Sequence, residues 1–174
     1  MTILIDPGNW NPTPDADDID AVLITHEHQD HFDINQLREV LVRNPNATVV
    51  THEAVGKLLE EANIAYTSIG EGERIEVNGV SVESHGHDHA VVYGDASPCR
   101  NTGYLISEKL FVPGDALHDI PTKPVEVLAL PTGGPWMKLA EAIDYAKQVR
   151  PRVVFPIHDA VYIEEVQRGL VPRI

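Results

Sequence analysis

Short apolar runs along the chain alternate with stretches in which apolar side chains recur at every third or fourth position. The runs favour strands, and the spaced stretches favour helices. Strands are predicted over residues 2–5, 20–25, 47–50, 64–68, 74–77, 80–83, 103–107, 110–112, 125–130 and 153–155. Helices are predicted over residues 34–41, 53–62, 138–149 and 160–167. Asp33 and Thr51 are the expected N-caps of the first two helices, because short polar side chains accept hydrogen bonds from the first helical N–H groups.

Two turns are expected to join neighbouring strands into hairpins. Asn78-Gly79 favours a type I′ turn, since both residues tolerate a positive φ. A second hairpin is expected to turn at Glu108-Lys109. The chain has no internal repeat and no linker long enough to divide it, so residues 1–174 are predicted to form one domain. The order of the elements indicates two sheets with helices on their outer faces.

Residue types that bind metals are concentrated in the segment Thr25-His26-Glu27-His28-Gln29-Asp30-His31, between a predicted strand and a predicted helix. His26 and His28 are two residues apart, so in extended backbone their side chains point the same way. Asp30 and His31 come after the chain begins to turn, and they can be aimed at a second point nearby. Three imidazoles and one carboxylate suit a borderline cation such as zinc. The alternative is a loop of solvated or helix-capping side chains, which rarely gathers four ligand-type residues.

Two further ligand-type residues each follow an apolar strand. Asp115 closes the segment Val112-Pro113-Gly114-Asp115, and His158 follows Phe155-Pro156-Ile157. Residues just beyond strand ends can assemble one site at the rim of a sheet from distant parts of a sequence. Taken alone, Asp115 would be an ordinary turn residue and His158 a surface residue. Together with the histidine segment, both are candidate metal ligands.

The pattern His26-x-His28-x-Asp30-His31 resembles the signature of the metallo-β-lactamase superfamily, and Gly114-Asp115 and His158 resemble its later metal-binding motifs in order and spacing. Asp6 resembles the family's early strand-end Asp, which buttresses the histidine loop. The resemblance runs from residue 3 to about residue 159. It implies an α+β fold, a four-layered αβ/βα sandwich of two mixed β-sheets with helices outside.

Within that superfamily, residues 135–138 and 156–159 look like those of bacterial hydrolases loosely grouped with the ascorbate-phosphate lactonases. The resemblance implies a site for two divalent metal ions. The implied ligands are His26, His28 and a third histidine for the first ion, Asp30, His31 and His158 for the second, and Asp115 between the two. Zinc is the expected metal, and manganese and iron are the alternatives.

The third histidine is chosen from three that share one strand parity. His89 is preferred, because His89-Ala90 followed by Asn101-x-Gly103-Tyr104 resembles the relatives' pattern best. His85 is the first alternative and His87 the second. The two that are not ligands would be supporting groups or merely polar residues at a strand end.

The resemblance also implies a hydrolase in which two cations activate a water molecule. A side-chain nucleophile is not expected, because the sequence has no Gly-x-Ser-x-Gly elbow and Cys99 lies in no motif. Small esters, lactones or phosphodiesters are the expected substrates. The alternative classes are an iron-containing redox member of the superfamily and a non-catalytic binding module stabilised by metal.

Four residues are assigned roles in the reaction or in substrate binding. Asp30 is expected to orient the hydroxide or relay its proton, and His118 to donate a proton to the leaving group. Trp136 and Lys138 follow a Gly-Gly-Pro turn and are expected to contact the substrate. The alternatives are a solvated loop histidine for His118 and a core residue at a helix start for Trp136.

Charge and composition limit the partners. Thirteen Lys and Arg are set against 27 Asp and Glu, for a formal net charge of −14. Such a chain repels polyanions, so the expected partner is a small-molecule substrate and not nucleic acid. No apolar stretch reaches the roughly 20 residues of a membrane span, and no signal peptide is recognised. With a single cysteine, the protein is expected to be cytoplasmic.

The N-terminus departs from the family pattern. Relatives usually begin with a hairpin before the strand that ends in Asp-Pro-Gly, whereas this chain begins inside that strand. Without the hairpin, an edge of the first sheet would be uncovered, and uncovered edges favour pairing with another chain. Either the natural start lies upstream or a partner covers the edge. We therefore predict a homodimer formed through or near the strand at residues 3–5.

Overall fold

The computed structural model describes residues 1–94 and 99–169. The chain forms two compact units, Met1–Ser84 and His85–Ile174. The prediction of a single domain over residues 1–174 is not tested by this division and stays a prediction. Among the helices of the described ranges, none has the length and apolar character needed to cross a membrane.

The first unit contains a four-stranded sheet in the order β1-β2-β3-β4, in which every neighbouring pair is parallel. Its strands are β1 (Ile3–Ile5), β2 (Ala21–Leu23), β3 (Thr48–Thr51) and β4 (Thr67–Ser68). Helices α1 (Ile34–Arg43) and α2 (Glu53–Glu61) lie between β2 and β3 and between β3 and β4. Two mixed sheets were expected, but this sheet is wholly parallel. Parallel pairing requires a connection that returns the chain to the starting end of the sheet. Helix α1 makes this return between β2 and β3, and α2 makes it between β3 and β4.

The core of the first unit lies between its sheet and its two helices. Val22 and Val49 from the strands pack with Leu37 from α1 and Leu59 from α2, and all four are essentially buried. Burial of such side chains stabilises a fold by about 1.5–3 kcal/mol each. This packing fixes the carboxyl end of β2, where the histidine segment begins.

Of the two helix caps predicted for the first unit, one is confirmed and the other is wrong. Asp33 caps α1 as predicted, accepting hydrogen bonds from the backbone N–H groups of Asn35 and Gln36. For α2 the prediction of Thr51 was wrong, because the cap is His52, whose Nδ1 accepts from Ala54 N at 3.2 Å. Thr51 still belongs to β3, and its hydroxyl donates to the carbonyl of Ile24 at 2.9 Å.

An antiparallel hairpin follows, formed by β5 (Arg74–Val77) and β6 (Val80–His85). Asn78 has φ 50° and Gly79 has φ 81°, the positive values that a type I′ turn requires. The predicted turn is therefore confirmed.

The second unit has a mixed arrangement of four strands, adjacent in the order β10-β9-β8-β7. They are β7 (Gly103–Ile106), β8 (Leu110–Val112), β9 (Val127–Pro131) and β10 (Val153–Ile157). The pair β7–β8 is antiparallel, whereas β8–β9 and β9–β10 are parallel. The β7–β8 turn is made by Ser107 and Glu108, both with positive φ, one residue earlier than expected.

Helix α3 (Leu139–Val149) covers these strands and buries Ala142 and Tyr145 against Leu128 and Leu130 of β9. The helix expected over residues 160–167 was wrong in part. A 3₁₀ turn at Asp159–Val161 is separated from α4 (Glu164–Gly169) by extended backbone at Tyr162. The Tyr162 hydroxyl donates to the carbonyl of Thr132 at 2.7 Å, and this contact holds the chain in the extended conformation between the two helical turns.

Candidate metal centre

The first cluster of candidate ligands lies on the loop between β2 and α1. His26 Nε2 and His28 Nδ1 are 3.0 Å apart, which confirms that the two side chains point the same way. His31 Nε2 lies 3.7 Å from Asp30 Oδ2. Each pair therefore brings two ligand atoms together within the short span of one loop.

The rings of this cluster are oriented by a partly buried network centred on Asp6. Asp6 Oδ2 accepts hydrogen bonds from Thr25 Oγ1 at 2.8 Å and from His31 Nδ1 at 2.7 Å, and its Oδ1 accepts from Thr25 N at 2.7 Å. Thr25 Oγ1 lies 3.0 Å from His26 Nδ1. With both Nδ1 protons directed into the network, His26 and His31 present the lone pair of Nε2 to a cation.

The backbone beneath this loop is unusual at two positions. Asp6 has φ 52°, a left-handed conformation that costs free energy for a residue other than glycine. At Gly8, an added Cβ would lie 1.9 Å from the carbonyl oxygen of Asp30 and 2.6 Å from His31 N. The loop therefore rests directly on a residue without a side chain. The Asp-Pro-Gly run is visible in the sequence, but no local pattern predicts this contact.

The second cluster lies in the second unit and is centred on Asp115, whose side chain is buried. Asp115 Oδ1 is 3.1 Å from His158 Nε2, and Asp115 Oδ2 is 3.3 Å from His89 Nε2. Asp115 follows β8 and His158 follows β10, and both strands run parallel to β9 between them. Parallel strands end at the same edge of a sheet, so two ligands far apart in sequence meet there. His158 itself has φ 61°.

A buried asparagine holds the Asp115 turn in place. Asn101 Oδ1 accepts from Asp115 N at 3.0 Å, and its Nδ2 donates to the carbonyl of Pro113 at 2.9 Å. Ala90 N donates to the carbonyl of Asp115 at 2.8 Å, which ties the His89 segment to the same turn. Sequence reasoning assigned no role to Asn101, although the pattern Asn101-x-Gly103-Tyr104 pointed to that segment.

The three histidines that were open for the third ligand differ in their surroundings. His89 is buried, and its Nδ1 is 2.5 Å from the carbonyl of Ala90, so Nε2 is directed toward Asp115. His87 is half exposed and pairs with Asp88 at 2.7 Å. His85 packs edge-on against Phe111, with ring centroids 5.6 Å apart. These positions favour His89, whose role as a ligand stays a prediction.

The residues predicted to act on the substrate are placed differently from one another. His118 is half exposed, with Nε2 3.1 Å from Asp119 Oδ2. Trp136 Nε1 donates to Asp115 Oδ2 at 2.8 Å, so its polar atom contacts a candidate ligand. Lys138 is exposed at the start of α3, where its backbone N donates to Glu141 Oε2 at 2.7 Å. Their predicted roles in proton donation and substrate binding stay predictions.

One buried phenol adjoins the His118 segment. The hydroxyl of Tyr145 donates to the carbonyl of Asp119 at 2.5 Å. Burial raises the pKa of Tyr145 well above its ordinary value, and the nearby Asp119 carboxylate raises it further. Tyr145 is therefore a neutral hydrogen-bond donor that holds this segment against α3.

The donor atoms of the two clusters fit transition-metal ions. All seven predicted ligands offer an imidazole nitrogen or a carboxylate oxygen as a donor atom. Mixed nitrogen and oxygen donors are what zinc, manganese and iron take in proteins. The hydrogen bonds made by the Nδ1 atoms of His31 and His89 are the supporting contacts that metal-binding histidines usually have.

Comparisons with known proteins identify the family of the chain. The chain matches the model of the β-lactamase superfamily domain over residues 1–158. It is 33% identical to a Mycobacterium tuberculosis protein, covering 97% of this chain and 80% of that protein. It is 31% identical to a metal-dependent hydrolase of Thermococcus onnurineus, covering 90% and 76%.

Solved structures show the same fold. A metallo-hydrolase of Ignicoccus hospitalis is similar with a TM-score of 0.68 and 24% identity, over 90% of this chain and 74% of that one. The predicted fold class is thereby confirmed. With the family match over most of its length, the chain belongs to the metallo-β-lactamase superfamily.

Proposed function

We propose that this chain, a metal-dependent hydrolase of the metallo-β-lactamase superfamily, uses two divalent metal ions, with zinc as the first candidate, to hydrolyse a small ester, lactone or phosphodiester. Following the family resemblance, one ion would be held by His26, His28 and His89, and the other by Asp30, His31 and His158. Asp115 would serve both. A cytoplasmic location and a likeness to the lactonases of the superfamily are parts of the same proposal.

The pair of contacts made by Asp115 is the observation that carries the proposal. Each of its carboxylate oxygens faces the Nε2 atom of a different histidine, at 3.1 and 3.3 Å, while its side chain is buried. A buried carboxylate with both oxygens turned to imidazole donors is the arrangement that a ligand shared by two cations needs. An acid with only a structural role would more often be satisfied by backbone N–H groups or a cation.

When bound, the ions would supply Lewis acidity and lower the pKa of a bound water molecule toward about 7. The chain's own residues would orient the metal ligands and donate a proton to the leaving group. Asp6 and Thr25 orient the rings of the first cluster through their hydrogen bonds. His118 would give a proton to the leaving group, and Asp119, 3.1 Å from its Nε2, would orient that ring. The net charge of −14 supports a small-molecule substrate and argues against nucleic acid.

Metal content and hydrolysis test the proposal together. The purified protein is reconstituted with zinc, dialysed, and assayed for bound metal and for turnover of nitrophenyl esters, lactones and a bis-nitrophenyl phosphate. We expect two zinc ions per chain and turnover of at least one class. Only trace metal after reconstitution with zinc and, in separate preparations, with manganese and iron(II) would overturn the proposal.

A single substitution then addresses the second ion. His158→Ala should reduce the bound zinc toward one ion per chain and lower turnover by orders of magnitude, while circular dichroism stays unchanged. Two zinc ions and parental turnover in this variant would remove His158 from the site.

A further inference from the structure

The indole of Trp136 contacts a candidate metal ligand. Its Nε1 donates a hydrogen bond to Asp115 Oδ2 at 2.8 Å, and its ring lies edge-on to that of His89 with centroids 5.9 Å apart. An indole has a donor and no lone pair for a metal. Trp136 therefore cannot bind a metal ion itself, and it can act on metal binding through the ligand that it touches.

The turn before α3 leaves room for this indole. β9 ends at Pro131, and Gly133 and Gly134 follow before Trp136. At Gly134, where φ is 155°, an added Cβ would lie 2.8 Å from Trp136 Nε1. The turn therefore leaves space for the polar edge of the ring beside a residue that has no side chain.

The contact distinguishes the two oxygens of Asp115. Oδ1 faces His158, whereas Oδ2 faces both His89 and the indole N–H. Rotation of the carboxylate about its χ2 torsion would exchange the two oxygens, and the N–H bond opposes that rotation. Donation from the indole also draws charge from Oδ2, so the two oxygens differ as donors.

We propose that Trp136 is a positioning residue that fixes the rotation of the Asp115 carboxylate and makes its two oxygens unequal ligands. The consequence for metal binding rests on the proposed function. Loss of a group that orients a ligand typically costs about 10–100-fold in metal affinity. Removal of the N–H with retention of an aromatic ring should therefore weaken zinc binding to a similar extent.

The hydrogen bond is tested first without metal. The chain has two tryptophans, Trp10 and Trp136, so its nitrogen–proton correlation spectrum should contain two indole signals, which Trp10→Phe assigns. Trp10 is 66% exposed and serves as the internal reference. We expect the Trp136 signal to lie downfield, to exchange slowly with solvent, and to move upfield in Asp115→Asn, where the acceptor loses its charge. The proposal would be overturned if the Trp136 signal exchanged with solvent as fast as that of Trp10 and kept its chemical shift in Asp115→Asn.

The positioning role is then tested with zinc and cobalt. Trp136→Phe is compared with the parent and with Tyr66→Phe, a matched control that deletes one donor from a half-buried aromatic ring bonded to Glu60. In Trp136→Phe we expect zinc affinity, measured by chelator competition, to fall about 10–100-fold. The visible absorption bands of the cobalt form should shift, and Tyr66→Phe should match the parent in both measurements.

The outcomes separate this inference from the proposed function. A parent that binds two zinc ions, with an unchanged affinity and cobalt spectrum in Trp136→Phe, overturns the positioning role and leaves the hydrolase proposal intact. A parent that binds none of zinc, manganese and iron(II) overturns the proposed function and the positioning role together.

Discussion

His26 and His31 both turn Nδ1 toward a buried network formed by Thr25 and Asp6. In this arrangement a single carboxylate controls the orientation of two rings, one of them through a hydroxyl. In the second cluster a backbone group orients the ring, since the carbonyl of Ala90 is the partner of His89 Nδ1. At the scale of residues, His26, His31 and His89 are thus held by contacts that leave their Nε2 atoms directed away from the supporting groups.

The choice of the third histidine is open to a direct test. His89 is buried beside Asp115, whereas His87, two residues earlier, is half exposed. We expect His89→Ala to lower zinc affinity and turnover by orders of magnitude, because it removes a ligand and leaves Asp115 without one of its neighbours. His87→Ala, the matched control, should stay within about twofold of the parent, as surface substitutions usually have little effect. Equal losses in the two variants, measured by chelator competition and turnover, would contradict the assignment.

Gly8 provides a second test at this scale. Because an added Cβ would overlap the backbone of Asp30, Gly8→Ala should push the histidine loop away from its position. We expect a loss of about 1–3 kcal/mol in unfolding free energy and weaker zinc binding. Gly169→Ala is the control, since a Cβ there meets no atom of the described residues within 4 Å. If urea unfolding and zinc titration of Gly8→Ala match those of Gly169→Ala, the loop does not depend on Gly8.

At the scale of elements, the site depends on where parallel strands end. β1 and β2 end beside each other in the first unit, and β8, β9 and β10 end along one edge in the second. Asp6, the histidine segment, Asp115 and His158 each follow one of these ends. The pattern of apolar strands followed by polar residues therefore predicts which residues lie together at the edge of each sheet.

This explains how much of the site could be predicted from sequence. The candidate ligands lie in short motifs next to strands, so local pattern was enough to propose them. Parity left three histidines open for the third ligand, and only the family resemblance favoured His89. The bond from Trp136 to Asp115 joins residues 21 positions apart and depends on the shape of a glycine turn, which no local pattern records. Thr51 was chosen as a cap by its residue type, but the strand extends to include it. The hydroxyl of Thr51 instead bonds to the carbonyl of Ile24, so a long-range contact overrides the preference of threonine for a cap position.

Tyr145 offers a test of how α3 is held. Burial raises the pKa of its phenol above the ordinary value of 10.0, so the folded state keeps the proton more tightly than the unfolded state does. The resulting stabilisation is fully present below pH 10 and is lost as the pH rises further, by about 1.4 kcal/mol per pH unit. In Tyr145→Phe this part of the alkaline destabilisation should disappear.

The measurement is urea unfolding between pH 8 and pH 11, with Tyr93→Phe as the control, because Tyr93 is 90% exposed. Tyr93→Phe should keep the parental slope. A parental slope in Tyr145→Phe as well would show that this phenol does not remain protonated in the folded state.

At the scale of the whole molecule, β1 is the edge strand of the parallel sheet. Among the described residues, β1 pairs with β2 and with no other strand. Thr2 O accepts from Ala21 N, and Asp6 N donates to Leu23 O, so alternate residues of β1 face β2. By this alternation the N–H and C=O groups of Ile3 and Ile5 face the other way. Such an edge is a template for pairing with a further strand.

We therefore predict that a second copy of the chain pairs along this edge in a symmetric dimer, the commonest form of soluble oligomer. Ile3→Pro removes an outward N–H group without removing a bond to β2, and edge positions of this kind tolerate proline. Sedimentation equilibrium of the parent should give twice the chain mass, and Ile3→Pro should shift the equilibrium toward the monomer. Ile3→Val, which keeps the N–H group, should behave like the parent. A parent that stays monomeric at high concentration, or a dimer that Ile3→Pro leaves intact, would exclude this edge as the interface.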